Sequence, residues 1–244
     1  MKKNLLRILI CVLCLCLAFT TLAACNKSNS AEEDGFVITV NEETKTAVVT
    51  KYEGGAEMVT IPKEYKKNKV VAIADNAFED NDFIKKVIVS ENVTKIGEYA
   101  FKNCSALKEV ELPDGIISVG FTAFIDCKEL TYNTEGSLNY LGNANNPYVL
   151  LVSCDKGAIE VTVNDDCKVI GVGAFENCLA LQKVILAKRI NYVGGYVFSG
   201  TSLKILDYYG TEEDWKKINL DENWLTGSSV LGISAYGGII KLVD

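Results

Sequence analysis

An apolar pattern that returns every 23 residues constrains the fold of this chain more than any other feature of its sequence. The clearest copy spans 93–113 and is VTKIGEYAFKNCSALKEVELP. The phenylalanines at one position of the pattern are Phe78, Phe101, Phe124, Phe175 and Phe198, and three of the four steps between them are 23 residues. One such unit cannot bury its own apolar side, but units stacked about 4.8 Å apart can. The sequence therefore predicts a solenoid of stacked coils.

The one longer step, 51 residues from Phe124 to Phe175, contains an irregular coil. In each unit a strand-like V-x-L segment points its first and third side chains inward. These segments begin at Val59, Val87, Val110, Val161, Val184 and Leu206, with steps of 28, 23, 51, 23 and 22 residues. The step of 51 divides into 23 and 28, so a coil near Asn133 lacks the apolar pair and carries five extra residues. We interpret 59–208 as one continuous stack with an irregular coil at about 131–158.

A small residue follows an isoleucine or valine at one position of each unit. The residues at that position are Ala74, Gly97, Gly120, Gly171 and Gly194. Alanine tolerates a positive φ poorly. We therefore expect crowding, rather than a positive φ, to keep this position small.

The two ends of the stack need covering, because a bare terminal coil would expose its core. At the start, 36–58 is predicted to form a cap built on a hairpin of Phe36–Val40 and Ala47–Tyr52. At the other end, 209–244 is predicted to form a small helical cap. Its helix begins with Thr211-Glu-Glu-Asp214, which approximates a capping box, and Gly238–Val243 is expected to form a closing strand.

The repeated motif I-G-x-x-A-F-x-x-C-x-x-L-x-x-V-x-L-P resembles the BspA-like leucine-rich-repeat family, whose units have about 23 residues. The resemblance covers Val59 to Tyr208. Asn81 and Thr201 depart from it at the cysteine position, and the coil near Asn133 lacks the V-x-L segment. The resemblance implies a β-rich α/β solenoid, a leucine-rich-repeat stack with short strands, and a role in protein binding or adhesion at the surface of a bacterial cell.

The amino terminus is predicted to be a signal peptide that covers 1–24. Met1–Arg7 carries three basic residues, and Ile8–Phe19 is an unbroken apolar run. The run is too short for a membrane-spanning helix, which needs about 20 residues. A basic start followed by a short apolar run is typical of a secretory signal.

Leu22-Ala-Ala-Cys25 resembles a bacterial lipobox. The resemblance implies that Cys25 receives a diacylglycerol and becomes the first residue of a lipoprotein held at the outer side of the cell membrane. The segment 25–35 is then the lipidated cysteine and a flexible tether, in which the nine polar residues 26–34 extend about 30 Å. The alternative is an uncleaved signal anchor in which Cys25 is an ordinary thiol.

Composition excludes several classes of function. The chain has no histidine, so it cannot form Ser-His-Asp or Cys-His nucleophile pairs or histidine metal sites. The formal net charge is −7, and removal of 1–24, with three basic and no acidic residues, lowers it to −10. Such a charge repels phosphate backbones, so nucleic acid is a poor partner. We expect no cofactor, no metal and no enzymatic activity.

The cysteines and carboxylates have structural explanations. Cys104, Cys127 and Cys178 share one repeat position, so we expect buried free thiols. The alternative is one disulfide, with Cys154 and Cys167 as the candidate pair, since exported proteins form disulfides. Outward-facing Glu109 and Glu111 are expected to belong to a solvated face of mixed charge, and Glu212–Asp214 to a helix start.

Three tyrosines in the irregular coil, Tyr132, Tyr140 and Tyr148, are the candidate contact residues. They interrupt the repeat, and aromatic side chains often anchor interfaces. The alternative is that their rings pack inside a bulged coil. The sequence therefore favours a non-catalytic extracytoplasmic lipoprotein that binds a protein partner. The second possibility is an envelope structural or assembly subunit with partners in its own membrane or wall, which the short tether favours.

Overall fold

The computed structural model of the chain describes residues 35–120, 122–228, 230, 232–236 and 238–241. The first nine strands in chain order are β1 (Phe36–Asn41), β2 (Thr46–Tyr52), β3 (Met58–Thr60), β4 (Glu64–Tyr65), β5 (Asn68–Ile73), β6 (Lys86–Ile88), β7 (Lys95–Ile96), β8 (Glu109–Glu111) and β9 (Ser118–Val119). They are followed by β10 (Asn133–Glu135), β11 (Leu138–Leu141), β12 (Leu150–Cys154), β13 (Glu160–Thr162), β14 (Val169–Ile170), β15 (Lys183–Leu186), β16 (Tyr192–Val193) and β17 (Ile205–Thr211). The chain continues with α1 (Glu212–Trp215), β18 (Asn219–Leu220), β19 (Gly232–Tyr236) and β20 (Gly238–Lys241).

Each regular coil contributes strands to two parallel ladders. The V-x-L ladder contains β3-β6-β8 and then β13-β15-β17-β19, with β20 antiparallel to β19. The Ile-Gly ladder contains β2-β5-β7-β9 and then β12-β14-β16-β18. The register follows the sequence repeat, since Val87 pairs with Val110 and Val161 with Val184. The molecule is therefore a β-solenoid of stacked short strands, as the 23-residue pattern predicts.

The repeated phenylalanines form a ladder inside the stack. We number the coils by them: Phe78, Phe101 and Phe124 mark coils 1–3, and Phe175 and Phe198 mark coils 5 and 6. All five rings are buried. Ring centroids are 4.8 Å apart between coils 1 and 2, 5.3 Å between coils 2 and 3, and 5.4 Å between coils 5 and 6. These separations suit stacked rings, so the repeated phenylalanines are part of the core of the stack.

The repeated glycines are kept small by crowding. A Cβ built on Gly97 would lie 2.4 Å from the backbone nitrogen of Asp75, and one on Gly120 would lie 2.4 Å from that of Glu98. Neither glycine has a positive φ. The expectation drawn from Ala74 is therefore confirmed: the backbone of the neighbouring coil occupies the space that a side chain would need.

The cysteines are buried free thiols in the described structure. The Sγ of Cys104 donates to the Phe78 carbonyl at 3.1 Å, and that of Cys127 to the Phe101 carbonyl at 3.0 Å. The neighbour of Cys154 is Cys178, whose Sγ donates to the Cys154 carbonyl at 3.7 Å. Cys154 is thus placed beside Cys178 rather than in the pairing with Cys167 that the sequence left open.

The two ends of the stack differ in structure. At the start, β1 and β2 form an antiparallel hairpin, and the Tyr52 ring stacks on Phe78 at 5.2 Å. At the far end, Thr211 is the N-cap of α1 and forms a capping box with Asp214, and Trp215 is buried against Tyr208. Among the described residues, this four-residue segment is the only α-helix. The α/β class is therefore too broad, and the fold is almost entirely β.

Both ladders change at coil 4, the coil between those marked by Phe124 and Phe175, which has no phenylalanine of its own. The V-x-L ladder passes from β8 to an isolated parallel bridge between Glu111 and Gly142. Coil 4 then contains an antiparallel arrangement, β10-β11-β12, before β12 returns to parallel pairing with β14. β10 begins at Asn133 and is fully exposed, so this segment has no buried apolar pair. Two clusters of buried side chains meet here, one for coils 1–3 and one for coils 5 and 6.

Candidate protein-binding site

Coil 4 is shorter than its neighbours on the Ile-Gly side. Leu151 pairs with Ile170, and Val161 pairs with Val184. In coil 4, Leu151 and Val161 are ten residues apart, whereas in coil 5 Ile170 and Val184 are fourteen apart. The four missing residues belong to the Ala-Phe loop, which in other coils connects the Ile-Gly strand to the cysteine. Coils 3 and 5 therefore have this loop and coil 4 does not.

The missing loop leaves an opening that we call the loop slot. One wall is the Ala-Phe loop of coil 3, of which Val119, Gly120 and 122–128 line the opening. The other wall is the Ala-Phe loop of coil 5, of which 171–173 and Glu176 line it. Leu150, Val152 and Ser153 of β12 lie between the walls. The slot has a volume of about 430 Å³, which is within the size range of pockets that bind ligands.

Polar and apolar groups both face the loop slot. Ala123, Phe124, Leu150 and Val152 provide apolar surface. The Thr122 hydroxyl is buried and has no hydrogen-bond partner among the described residues. A buried hydroxyl without a partner costs about 1–3 kcal/mol, so the slot has unused hydrogen-bonding capacity beside an apolar surface.

The three candidate tyrosines do not form one surface patch. Tyr132 lines the loop slot and is 36% exposed. Tyr140 is fully buried, and its hydroxyl accepts a hydrogen bond from the Asn164 backbone at 3.1 Å. Tyr148 is half-buried and meets the Tyr140 ring edge-on, with centroids 5.3 Å apart. Burial raises the pKa of Tyr140. Tyr140 and Tyr148 thus pack the irregular coil, and Tyr132 is the candidate that keeps accessible surface in the slot.

The sequence analysis did not predict the loop slot, because the slot is a space left by residues that coil 4 lacks. A signal for it exists in the short spacing of Leu151 and Val161. That spacing becomes informative only when Leu151, rather than a residue 23 positions before Ile170, is known to pair with Ile170.

Four of the described cysteines are poor nucleophiles in this setting. Burial raises the pKa of Cys154 and of Cys167 to about 12, and it also raises the pKa of Cys178. A hydrogen bond with Cys127 and burial together raise the pKa of Cys104, and the same hydrogen bond lowers the pKa of Cys127. Because the thiolate is the reactive form, the four thiols with a raised pKa stay protonated at neutral pH.

The charged side chains of the V-x-L ladder form ion pairs across coils. Lys86 lies 2.8 Å from Glu109 and 2.5 Å from Glu111, and these hydrogen bonds raise the pKa of Lys86. Lys183 lies 2.8 Å from Glu160. These groups are partly or largely exposed, which agrees with the predicted solvated face of mixed charge. Within the part of the chain that the structure describes, no cluster of acidic or cysteine side chains is arranged to hold a metal ion.

The predicted lipid anchor at Cys25 and the signal peptide lie outside the described residues. In the described part of the chain, none of the helices has the length and apolar character needed to cross a membrane.

Stacked parallel ladders, a repeated phenylalanine and a repeated small residue define a leucine-rich-repeat solenoid. Residues 66–145 and 152–220 match the BspA type leucine rich repeat region in six copies. The chain therefore belongs to the BspA-type leucine-rich-repeat family. No curated protein sequence matches it.

Several solved structures are similar to this chain. A leucine rich repeat protein of T. pallidum shares 20% identity with a TM-score of 0.46, over 85% of this chain and 86% of that one. A leucine rich cell surface protein of Faecalibacterium prausnitzii shares 22% identity with a TM-score of 0.48, over 87% of this chain and 56% of that one. The pneumococcal vaccine antigen PcpA shares 20% identity with a TM-score of 0.43, over 84% of this chain and 48% of that one.

Proposed function

We propose that this protein is a non-catalytic extracytoplasmic lipoprotein whose solenoid binds a protein partner at the bacterial cell surface. The observation that carries the proposal is the loop slot, where a solenoid of the BspA-type family opens beside the partly exposed ring of Tyr132. Solenoids of stacked repeats present long rigid surfaces that suit protein recognition. An aromatic ring beside an apolar recess is the usual kind of anchor point in such recognition.

The lack of catalysis is supported by the chemistry of the side chains. The chain has no histidine, and the raised pKa values of Cys154 and Cys167 keep their thiols protonated at neutral pH. The ion pairs on the V-x-L ladder place carboxylates beside lysines at the surface, rather than in the apolar surroundings that would tune an acid or base.

Site-directed photocrosslinking on intact cells tests the binding proposal. A photoreactive phenylalanine analogue at Tyr132 should give a discrete crosslinked product. The matched control is the same analogue at Tyr196, which is 41% exposed and does not line the loop slot. The same products from both positions, or none from Tyr132, would contradict a contact role for the slot.

Protease treatment of intact cells separates the two settings in which a partner could lie. A protein at the outer surface should be cut in exposed segments such as β10, which is fully exposed. Protection of the intact chain would favour the alternative, an envelope structural or assembly subunit that is covered by its own wall. A nine-residue tether of about 30 Å is compatible with that alternative.

A further inference from the structure

The Ala-Phe loops are joined by a ladder of backbone hydrogen bonds from one coil to the next. The Phe101 amide donates to the Ala123 carbonyl at 2.8 Å, and the Asn103 amide to the Ile125 carbonyl at 2.9 Å. The same two bonds connect coils 5 and 6: Phe175 donates to Val197 at 3.0 Å, and Asn177 to Ser199 at 2.8 Å. Each loop thus uses the amides of alternate residues to hold the carbonyls of the next loop.

This ladder is broken at the loop slot. The equivalent amides of coil 3 belong to Phe124 and Asp126, and neither has an acceptor among the described residues. On the opposite wall, the Ala174 carbonyl is equivalent to that of Ala123 and has no donor there either. The Glu176 carbonyl accepts from the Lys156 side chain instead of from a loop. One wall therefore offers donors and the other offers an acceptor.

The dimensions of the slot suit one additional chain segment. Coils 3 and 5 are separated by two ladder steps, about 10 Å at about 4.8 Å per step. One segment placed midway would lie at hydrogen-bonding distance from both walls. The apolar surface of Phe124, Leu150 and Val152 lies beside that position. The unpartnered Thr122 hydroxyl adds a further polar group.

We propose that the loop slot binds a main-chain segment of the partner polypeptide, which lies parallel to the coils and completes the broken ladder. This inference rests on the proposed protein-binding function and specifies its mode. The carbonyls of alternate residues of the segment accept hydrogen bonds from Phe124 and Asp126, and an amide between them donates to Ala174. An apolar side chain of the segment packs against Phe124 and Val152. Recognition is thus mainly of backbone and of one apolar residue, as in strand addition to a sheet edge.

Amide hydrogen exchange of the mature chain tests the open ladder directly. In the free protein, the Phe124 and Asp126 amides should exchange about 100-fold faster than those of Phe101 and Asn103, which occupy the same positions in coil 2 and are hydrogen-bonded. Equal protection of the two sets would show that the slot is already closed by the chain itself, and it would overturn the proposal.

A peptide with the sequence GEYAFKN, copied from residues 97–103, serves as the binding probe. It should slow exchange at Phe124 and Asp126 and bind with a dissociation constant on the order of 1 mM, as expected for a short flexible peptide. The matched probe is N-methylated at its phenylalanine, which removes the amide that donates to Ala174, and it should bind about tenfold more weakly. Equal binding of both probes, or protection only outside the slot, would overturn main-chain recognition.

A pair of protein variants separates this mode of binding from binding in general. Ile125 lines the slot and is 40% exposed, whereas Ile117 of the same coil is 47% exposed and lies outside it. Ile125→Asp should weaken probe binding about tenfold and Ile117→Asp should not change it. If a partner crosslinks at Tyr132 while the probe leaves Phe124 and Asp126 unprotected, the protein-binding function stands and the main-chain mode fails.

Discussion

At the scale of single residues, the phenylalanine ladder shows how position in the stack sets the contribution of a side chain. Phe101 has rings on both sides, 4.8 Å from Phe78 and 5.3 Å from Phe124. Phe124 has a stacked ring only on the Phe101 side among the described residues, since its other side faces the loop slot. The same residue type in the same repeat position therefore has different surroundings in coils 2 and 3.

This difference predicts unequal costs of truncation. Phe101→Ala should destabilise the fold by about 3–5 kcal/mol, because it leaves a closed cavity in a buried stack. Phe124→Ala should cost less, because solvent from the slot can reach the space it leaves. Urea unfolding of the two variants measures the difference. A negligible loss for Phe101→Ala, or a larger loss for Phe124→Ala, would contradict the described placement of these rings.

At the scale of elements, local hydrogen bonds stabilise the irregular parts of the molecule. The capping box of α1 is an example. Asp214 accepts from the Thr211 backbone amide and from its hydroxyl, and it forms an ion pair with Lys217 at 3.2 Å. The backbone hydrogen bond is the first of the causes that lower the pKa of Asp214 to about 2. The helix packs Trp215 against Tyr208, so the capping box helps to place the aromatic side chains at the far end of the core.

The lowered pKa of Asp214 predicts how the cap responds to acid. The pKa of this carboxyl is lower in the folded chain than its unfolded value of about 3.9. Its contribution to stability is therefore complete above about pH 4 and is lost as the pH falls to about 2. Asp214→Asn should be less stable than the natural chain at pH 6, and the two should converge near pH 2. Glu213→Gln is the control, because Glu213 is outside the capping box, and a similar pH-dependent difference for it would contradict this explanation.

The Ala-Phe loop is a second element whose presence or absence has a clear consequence. Replacement of Val152, Ser153 and Cys154 in coil 4 with GEYAFKN would supply the four missing residues and give coil 4 the length of coil 2. The inserted loop should complete the ladder and slow exchange of the Phe124 and Asp126 amides to the rates of Phe101 and Asn103. A control insertion of seven residues of glycine and serine should leave them fast. Fast exchange in a folded variant that carries GEYAFKN would contradict the correspondence of Leu151 with Ile170.

At the scale of the whole molecule, the proposed function depends on two separate regions. The solenoid carries the proposed binding surface, and Cys25 carries the proposed attachment to the membrane. Two acyl chains hold a protein on a bilayer firmly, whereas one chain gives only marginal binding. The polar segment of 25–35 would keep the solenoid within about 30 Å of the membrane.

The attachment predicts a simple partition experiment. The natural chain should fractionate with the membranes, and Cys25→Ser should move nearly all of it to the soluble fraction, because the lipidated thiol is lost. Ser28→Ala, in the same tether, is the control and should remain with the membranes. An unchanged partition for Cys25→Ser would refute the lipobox interpretation and favour the uncleaved signal anchor.

The regular coils could be predicted from the sequence in considerable detail. The identity of the core ladder, the burial of Cys104 and Cys127, and the crowded position of Gly97 all follow from a 23-residue period. Each of these features depends on a residue and its counterparts in the adjoining coils, and the constant period states which residues those counterparts are. The capping box at Thr211 was likewise readable, because its contacts are local in sequence.

Coil 4 could not be predicted in the same way. The sequence located an irregular coil between Leu130 and Ile159 and counted its five extra residues, but the structure shows that a hairpin adds residues while the Ala-Phe loop loses them. The net length conceals both changes. The burial of Tyr140 likewise depends on the antiparallel pairing of β11 with β12. The 23-residue period does not predict that pairing.

The sequence by itself therefore determined the solenoid, its repeat and its core, because periodic apolar positions select the same neighbours in every coil. Only the tertiary structure decided where the stack is open and which tyrosine remains accessible. The loop slot exists because two loops that are 51 residues apart face each other across a coil that has none. Which backbone amides and carbonyls lack hydrogen-bond partners can be seen only when their neighbours in space are known.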